Sequence, residues 1–219
     1  MKTFTLPLAH KVYSPPVSKQ NLYPTVFMLH GYGSDANDLF SFAPELSTEH
    51  LVISLEAPLK LQPFGHAWYT IYMDATQGKF SDDEEAINSR ELVMQCINAA
   101  CEAYPIKQDA ITLLGFSQGC ILSLAVALSY PQKIKNVIGL SGYLNEAILL
   151  PNWKNNVINT LNIYHSHGSQ DQVIPVNWAR TSSELLKPKI TNYVYEEFPV
   201  GHGVSPHNFH SFRKWLSAH

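Results

Sequence analysis

Gly115-Phe116-Ser117-Gln118-Gly119 lies directly between an apolar run ending at Gly115 and a segment, Gln118 to Ser129, that is apolar nearly all round before Pro131. G-x-S-x-G in that setting reads as a strand, a sharp turn and a deeply buried helix. A strand that turns straight into a helix holds its central residue in a strained conformation, at a cost of about 1–3 kcal/mol, and leaves room only for small neighbours. The hydroxyl of Ser117 then emerges at the C-terminal end of a sheet, before the free N–H groups and positive dipole end of the helix. A serine hydroxyl there is a candidate nucleophile, provided that a base takes its proton.

The rest of the chain supplies a sheet for that turn. Short β-rich runs alternate with helical segments, the pattern of βαβ units. Strands are expected at Thr25 to His30, Leu51 to Leu55, Ala110 to Gly115, Lys135 to Leu140, Leu161 to His165 and Asn192 to Phe198, with Thr3 to Leu8 as an antiparallel edge. Those around Phe27, Ile53, Leu113 and Ile138 are continuous apolar runs, as expected of strands covered by helices on both faces. Ser81-Asp82-Asp83-Glu84 has the order of a capping box. The stripe Ile87, Met94, Ile97, Cys101 and Tyr104 predicts a helix ending before Pro105. A length of 219 residues fits a single domain over 1–219.

Composition removes several alternatives. With 15 Lys and Arg against 18 Asp and Glu, a net charge of -3 and no basic cluster, nucleic-acid binding is not expected. The longest apolar run, Cys120 to Leu128, falls short of the ~20 residues of a spanning helix, and the N-terminal residues lack the form of a signal peptide. A cytoplasmic location is expected. Three cysteines without C-x-x-C spacing suggest neither a disulfide framework nor a zinc site. His165 and His167 alternate on a strand end, but no third ligand accompanies them, so no metal is expected.

Partners for Ser117 follow it in the order acid, then base. His202, in Pro199-Val200-Gly201-His202-Gly203 just past the last strand, fits best as the base, with flanking glycines giving the imidazole room; His207, His210 and His219 fall within or beyond the final helix. Asp171, after the strand ending near His165, can accept the imidazole Nδ1–H and fix its tautomer; it also suits a turn, and Glu146 is the reserve acid. Leu29-His30-Gly31-Tyr32-Gly33 follows the first core strand, where half of an oxyanion hole would form. The donors are assigned as the backbone N–H groups of Tyr32 and Gln118, with His30 holding the loop. Only the backbone of Gln118 enters this scheme, so Gln118→Ala is expected to keep most activity.

These segments together, Leu29 to Gly33, Gly115 to Gly119, His167-Gly168 with Asp171, and Gly201-His202-Gly203, resemble the phospholipase/carboxylesterase family of α/β-hydrolases, which includes acyl-protein thioesterases. The resemblance runs from about Thr25 to Trp215 and is loosest over Gln62 to Tyr72. It implies the α/β-hydrolase fold, a Ser117–Asp171–His202 triad with Tyr32 and Gln118 as oxyanion donors, and hydrolysis of small or acylated esters or thioesters through an acyl-enzyme, without a cofactor. A serine peptidase, a lactone hydrolase or a binding module that kept the fold are the alternatives. Only about twenty residues join the strands at Leu140 and Leu161, too few for a large lid. Phe64, Trp68, Tyr69 and Tyr72 are candidates for the wall of a substrate pocket, or are ordinary packing. The oligomeric state is not legible.

Overall fold

The computed structural model describes residues 4–15, 21–46, 49–74 and 78–219. In chain order the elements are β1 (His10–Tyr13), β2 (Tyr23–Leu29), α1 (Ala43–Leu46), β3 (Leu51–Leu55), β4 (Leu59–Lys60), β5 (His66–Ala67), β6 (Ile71–Asp74), β7 (Gly78–Ser81), α2 (Asp83–Ala103), β8 (Ile106–Phe116), α3 (Gln118–Ser129), β9 (Asn136–Leu140), β10 (Asn162–Gly168), α4 (Val176–Leu186), β11 (Asn192–Phe198) and α5 (Pro206–Leu216). Among the described residues seven strands form one sheet in the order β1-β3-β2-β8-β9-β10-β11. Only β1 runs antiparallel, His10 facing Leu55; every other pairing in this sheet is parallel.

Parallel strands need crossovers, and the crossovers put helices on both faces. On β2, Phe27 and Leu29 enter a core with α2 and α3, while Val26 and Met28 enter a second core with α1 and α5. All four are fully buried, which is why β2 reads as a continuous apolar run. Every residue of α3 is buried. Such a helix has no polar face to offer water, so it belongs between the sheet and α2, and its N-terminus is held rigidly at the C-terminal end of β8. Between β9 and β10 the chain makes only two tight helical turns, at Glu146–Ile148 and Trp153–Asn155, and no large lid.

Two local expectations shift. The antiparallel edge is β1, at His10–Tyr13, not Thr3 to Leu8; Thr3 lies outside the described residues. Leu6 and Leu8 are instead buried in the core as irregular chain, Phe4 N–H donates to the Tyr104 hydroxyl at 2.9 Å, and Pro7 has no N–H for a ladder. The cap of α2 is Asp82, whose Oδ1 accepts from Glu85 N–H at 3.0 Å, and not Ser81. Ser81 is the last residue of β7, paired with Ile71, and so is too early to start the helix. The buried face of α2 is also broader than its expected stripe. Met94, Ile97 and Tyr104 are buried, Ile87 and Cys101 only partly, and the small residues Ala86, Ser89, Cys96 and Ala100 let neighbouring elements approach closely.

Candidate active site

Ser117 joins β8 to α3 with φ 54 and ψ -116, a left-handed conformation that a residue bearing a Cβ rarely adopts. The turn is over-determined by its surroundings. Ser117 N–H donates to Leu140 O at the end of β9 (2.8 Å), and Ser117 O accepts from Cys120 and Ile121 N–H. The two motif glycines serve close approach. A Cβ on Gly119 would lie 1.9 Å from Leu29 O, and one on Gly115 would lie 2.2 Å from Gly119 O, so helix, strand and β2 meet backbone to backbone.

Side chains from two other loops converge on this turn. His202 Nε2 lies 2.9 Å from Ser117 Oγ, and His202 Nδ1 lies 2.7 Å from Asp171 Oδ2. An ionised carboxylate only accepts, so Nδ1 carries the hydrogen and Nε2 accepts from the serine hydroxyl. The imidazole rests on the Phe116 ring, with centroids 5.0 Å apart. Both carboxylate oxygens of Asp171 are engaged: Oδ1 accepts from Val173 and Ile174 N–H (2.8 and 2.9 Å), closing the turn, while Oδ2 faces His202. Burial would raise its pKa, but the His202 hydrogen bond and then the two N–H groups outweigh that, and the carboxyl is held below its ordinary value. A second imidazole supports it. Fully buried His167 donates from Nε2 to Ile174 O at 2.9 Å, with Asp171 Oδ2 at 3.2 Å.

The glycine that brings the loops of 171 and 202 together is Gly168, where a Cβ would sit 2.1 Å from Gly201 O. A Cβ on Gly201 would make only an ordinary contact, 4.0 Å from Gln170 O, and one on Gly203 would face open space. Glu146 is exposed and 3.0 Å from Lys154 Nζ, away from His202. His207, His210 and His219 are exposed. His165 donates from Nε2 to Gly142 O (3.1 Å) and its Nδ1 accepts from Tyr193 OH (2.8 Å), and no cluster of three metal-ligating side chains exists among the described residues. Burial also raises the thiols, that of Cys101 included. Burial pushes the Cys96 thiol up to about 11 and the Cys120 thiol higher still.

The 30–33 loop lies against the turn, a Gly31 Cβ falling 3.4 Å from Ser117 Cβ. His30 holds it: Nδ1–H donates to Gly31 O (2.8 Å) and Nε2 accepts from Ala57 N–H (3.1 Å). Burial lowers the His30 pKa, which keeps the ring in the neutral form that this pair of bonds requires. Gly33 takes φ +79, and its N–H donates to His66 O, so the 61–67 loop closes over the same side.

Trp68 to Thr70 is a buried irregular segment whose backbone groups are nearly all met by other elements. Gln118 Oε1 accepts from Trp68 N–H (2.9 Å), and Gln118 Nε2 donates to Tyr69 O (2.6 Å). Ser89 donates to Trp68 O, Glu85 accepts from Thr70 N–H (2.7 Å), and Thr70 O accepts from Asp82 N–H. The indole N–H of Trp68 donates to His30 O (2.9 Å). The Gln118 side chain therefore clamps this segment to the serine turn, a structural role not read from the sequence.

Of the four pocket candidates, Tyr69 lines the cavity beside Ser117; Trp68 is wholly buried behind it, and Phe64 (76% exposed) and Tyr72 (43% exposed) lie outside its lining. The wall also contains Ile71, Ile121, Tyr143, Ile174 and Trp178, none of them expected. A positional signal for two of these was available. Tyr143 follows the end of β9 and Trp178 opens the helix after the Asp171 loop, and residues just past strand C-termini line the crevice of such a sheet.

A family model described as Phospholipase/Carboxylesterase matches residues 11–219. Acyl-protein thioesterase 1 of Schizosaccharomyces pombe is 28% identical over 174 residues, 74% of this chain and 75% of that protein. Acyl-protein thioesterase 1 homolog 1 of Dictyostelium discoideum is 27% identical over 208 residues, 88% of this chain and 89% of that protein. Among solved structures, a carboxylesterase from Mesorhizobium loti matches with a TM-score of 0.81 at 17% identity, over 98% of this chain and 96% of its own. Zea mays acyl-protein thioesterase 2 matches with a TM-score of 0.75 at 23% identity, over 96% and 98%. At these identities the structural likeness speaks for the fold.

Proposed function

This chain belongs to the phospholipase/carboxylesterase family of α/β-hydrolases and is an esterase- or thioesterase-type hydrolase, and from that premise we propose that it cleaves carboxylic esters or thioesters through an acyl-enzyme formed on Ser117. His202 takes the hydroxyl proton as Ser117 Oγ attacks the carbonyl carbon. The backbone N–H groups of Tyr32 and Gln118 hold the oxyanion, each contributing ~2.7–4 kcal/mol to the transition state. When the tetrahedral intermediate collapses, the bond to the leaving alcohol or thiol breaks and His202 returns the proton to it. Water then adds to the acyl-enzyme with His202 again as base, releasing the acid and regenerating the serine. Asp171 keeps the imidazole in the required tautomer and stabilises its protonated form.

The observation that carries this reading is the unbroken hydrogen-bonded row Ser117–His202–Asp171, at 2.9 and 2.7 Å, on a strained turn at a helix N-terminus. No step draws on a metal or an organic cofactor. The three cysteines are free thiols, in keeping with a place of action in the cytoplasm, and no helix among the described residues is long and apolar enough to cross a membrane. A fluorophosphonate should add one phosphonyl group to Ser117, found by peptide mass spectrometry, and Ser117→Ala should remove both labelling and ester turnover. Labelling at another residue, or full turnover by Ser117→Ala, would exclude the mechanism.

A further inference from the structure

Tyr69, Ile71, Ile121, Ile174, Tyr143 and Trp178 enclose a cavity of about 50 Å³ that opens on Ser117. His202 is not part of its lining. The leaving atom must meet His202 Nε2 to receive its proton, so the leaving group departs on the other side of the serine and the cavity is the acyl side. An apolar cavity of ~150 Å³ holds a benzene ring, roughly 25 Å³ per carbon, so about two carbons beyond the carbonyl fill this one.

Two of the lining residues form a ring pair. Tyr143 and Trp178 meet edge to face, with centroids 4.9 Å apart and planes at 71°. The same two rings bound a second, more open groove of about 290 Å³ on their far side, which runs along α4 past Ser182 and Leu185. One buried hydroxyl ties the two ring-bearing segments together: Ser182 Oγ accepts from Leu144 N–H at 2.8 Å and donates to Trp178 O at 2.7 Å.

Resting on the acyl-enzyme reading above, we propose that the Tyr143–Trp178 pair is a specificity-determining partition, which limits this hydrolase to esters and thioesters of small acyl groups, about two to four carbons, and separates the acyl pocket from a groove that could take a longer chain. Tyr143 and Trp178 are the two residues that line both spaces. Opening the partition therefore joins them.

The test is kcat/KM on p-nitrophenyl acetate, butyrate, hexanoate and octanoate for the wild-type chain, Trp178→Ala and Trp178→Phe. Since one methylene in an apolar pocket is worth about 10–200-fold, the wild-type value should fall at least tenfold from butyrate to octanoate. Trp178→Ala should raise the octanoate-to-acetate ratio by about tenfold or more, whereas Trp178→Phe, which keeps a ring, should stay near wild type. A wild-type profile flat to octanoate, or a cooperatively melting Trp178→Ala with an unchanged ratio, would overturn the partition while leaving the hydrolase reading intact. Should Trp178→Ala not melt cooperatively, Ser182→Ala decides by the same ratio, since it keeps both rings and removes their tie. Failure to turn over any ester, with Ser117 unlabelled by a small fluorophosphonate, would overturn the hydrolase mechanism and the partition with it.

Discussion

Replacing Gln118 by alanine separates two roles that meet in one residue. The backbone N–H, the proposed oxyanion donor, is untouched, whereas the side-chain amide that holds Trp68 N–H and Tyr69 C=O disappears. Trp68 is 0% and Tyr69 2% exposed, so both groups lose their partner in a buried setting. Leaving a buried polar group unmet costs about 1–3 kcal/mol, which sums to roughly 2–6 for the pair. Gln118 also lines the cavity, so water can enter and meet part of the loss; about 2–4 kcal/mol is the expected net effect. For a chain of this size that lowers the melting midpoint by roughly 5–15 °C, readable by thermal unfolding with urea titration as a second measure. Kinetically, the Tyr69 wall loosens while the donor remains, so KM for an ester should rise more than kcat falls. Loss of an oxyanion donor would look different, with kcat down about 10²–10³-fold. A Gln118→Ala protein with the wild-type melting midpoint and KM would refute the clamp.

Three further outcomes follow from the same geometry. Asp171→Asn should lower kcat by about 10⁴-fold with little change in melting, because the amide oxygen can still close the 171–174 turn while the amide N–H favours the wrong His202 tautomer; steady-state kinetics beside a melting curve would check both. His165, fully buried, has its pKa lowered to about 4, mainly by burial. Its unfolded value is ~6.5. Its contribution is therefore fully present above that value and falls as pH drops toward 4, by about 3 kcal/mol; His30 and His50, also lowered by burial, add to the loss with the same sign. Urea unfolding at pH 7.5 and 4.5 would measure this, and equal stabilities would contradict it. Gly119→Ala should prevent the serine turn from closing, since its Cβ would overlap Leu29 O, whereas Gly203→Ala, with open space around it, should leave expression, melting and turnover close to wild type.

Much of this architecture was readable because its causes are local. The span of α3 follows from twelve residues that are apolar nearly all round, β3 from a short apolar run, and β11 from the β-favouring Tyr193, Val194, Tyr195 and Phe198 ahead of Pro199. The strain at Ser117 follows from asking one residue to end a strand and begin a helix, with glycines two positions away on either side. That Ser117, Asp171 and His202 lie near one another was also legible, because each comes just past the C-terminal end of a parallel strand and such ends share one edge of the sheet.

Other features depend on distances between segments far apart in the chain. Gly168 is the close-approach glycine, and not Gly201 or Gly203, because the register of β10 against β11 brings Gly168 opposite Phe198. Asp82 caps α2 because Ser81 is held in β7, and Gln118 reaches a segment fifty positions earlier because a buried loop must satisfy its backbone somewhere. Tyr143 and Trp178 look like ordinary aromatics in the chain and line one cavity only where the fold brings their two segments together, with Ser182 bonded to both. Periodicity and turn chemistry act over a few residues and can be read from the order of the side chains. Which polar group meets which, and where a pocket stops, are set by the three-dimensional packing that brings those segments within a few ångströms.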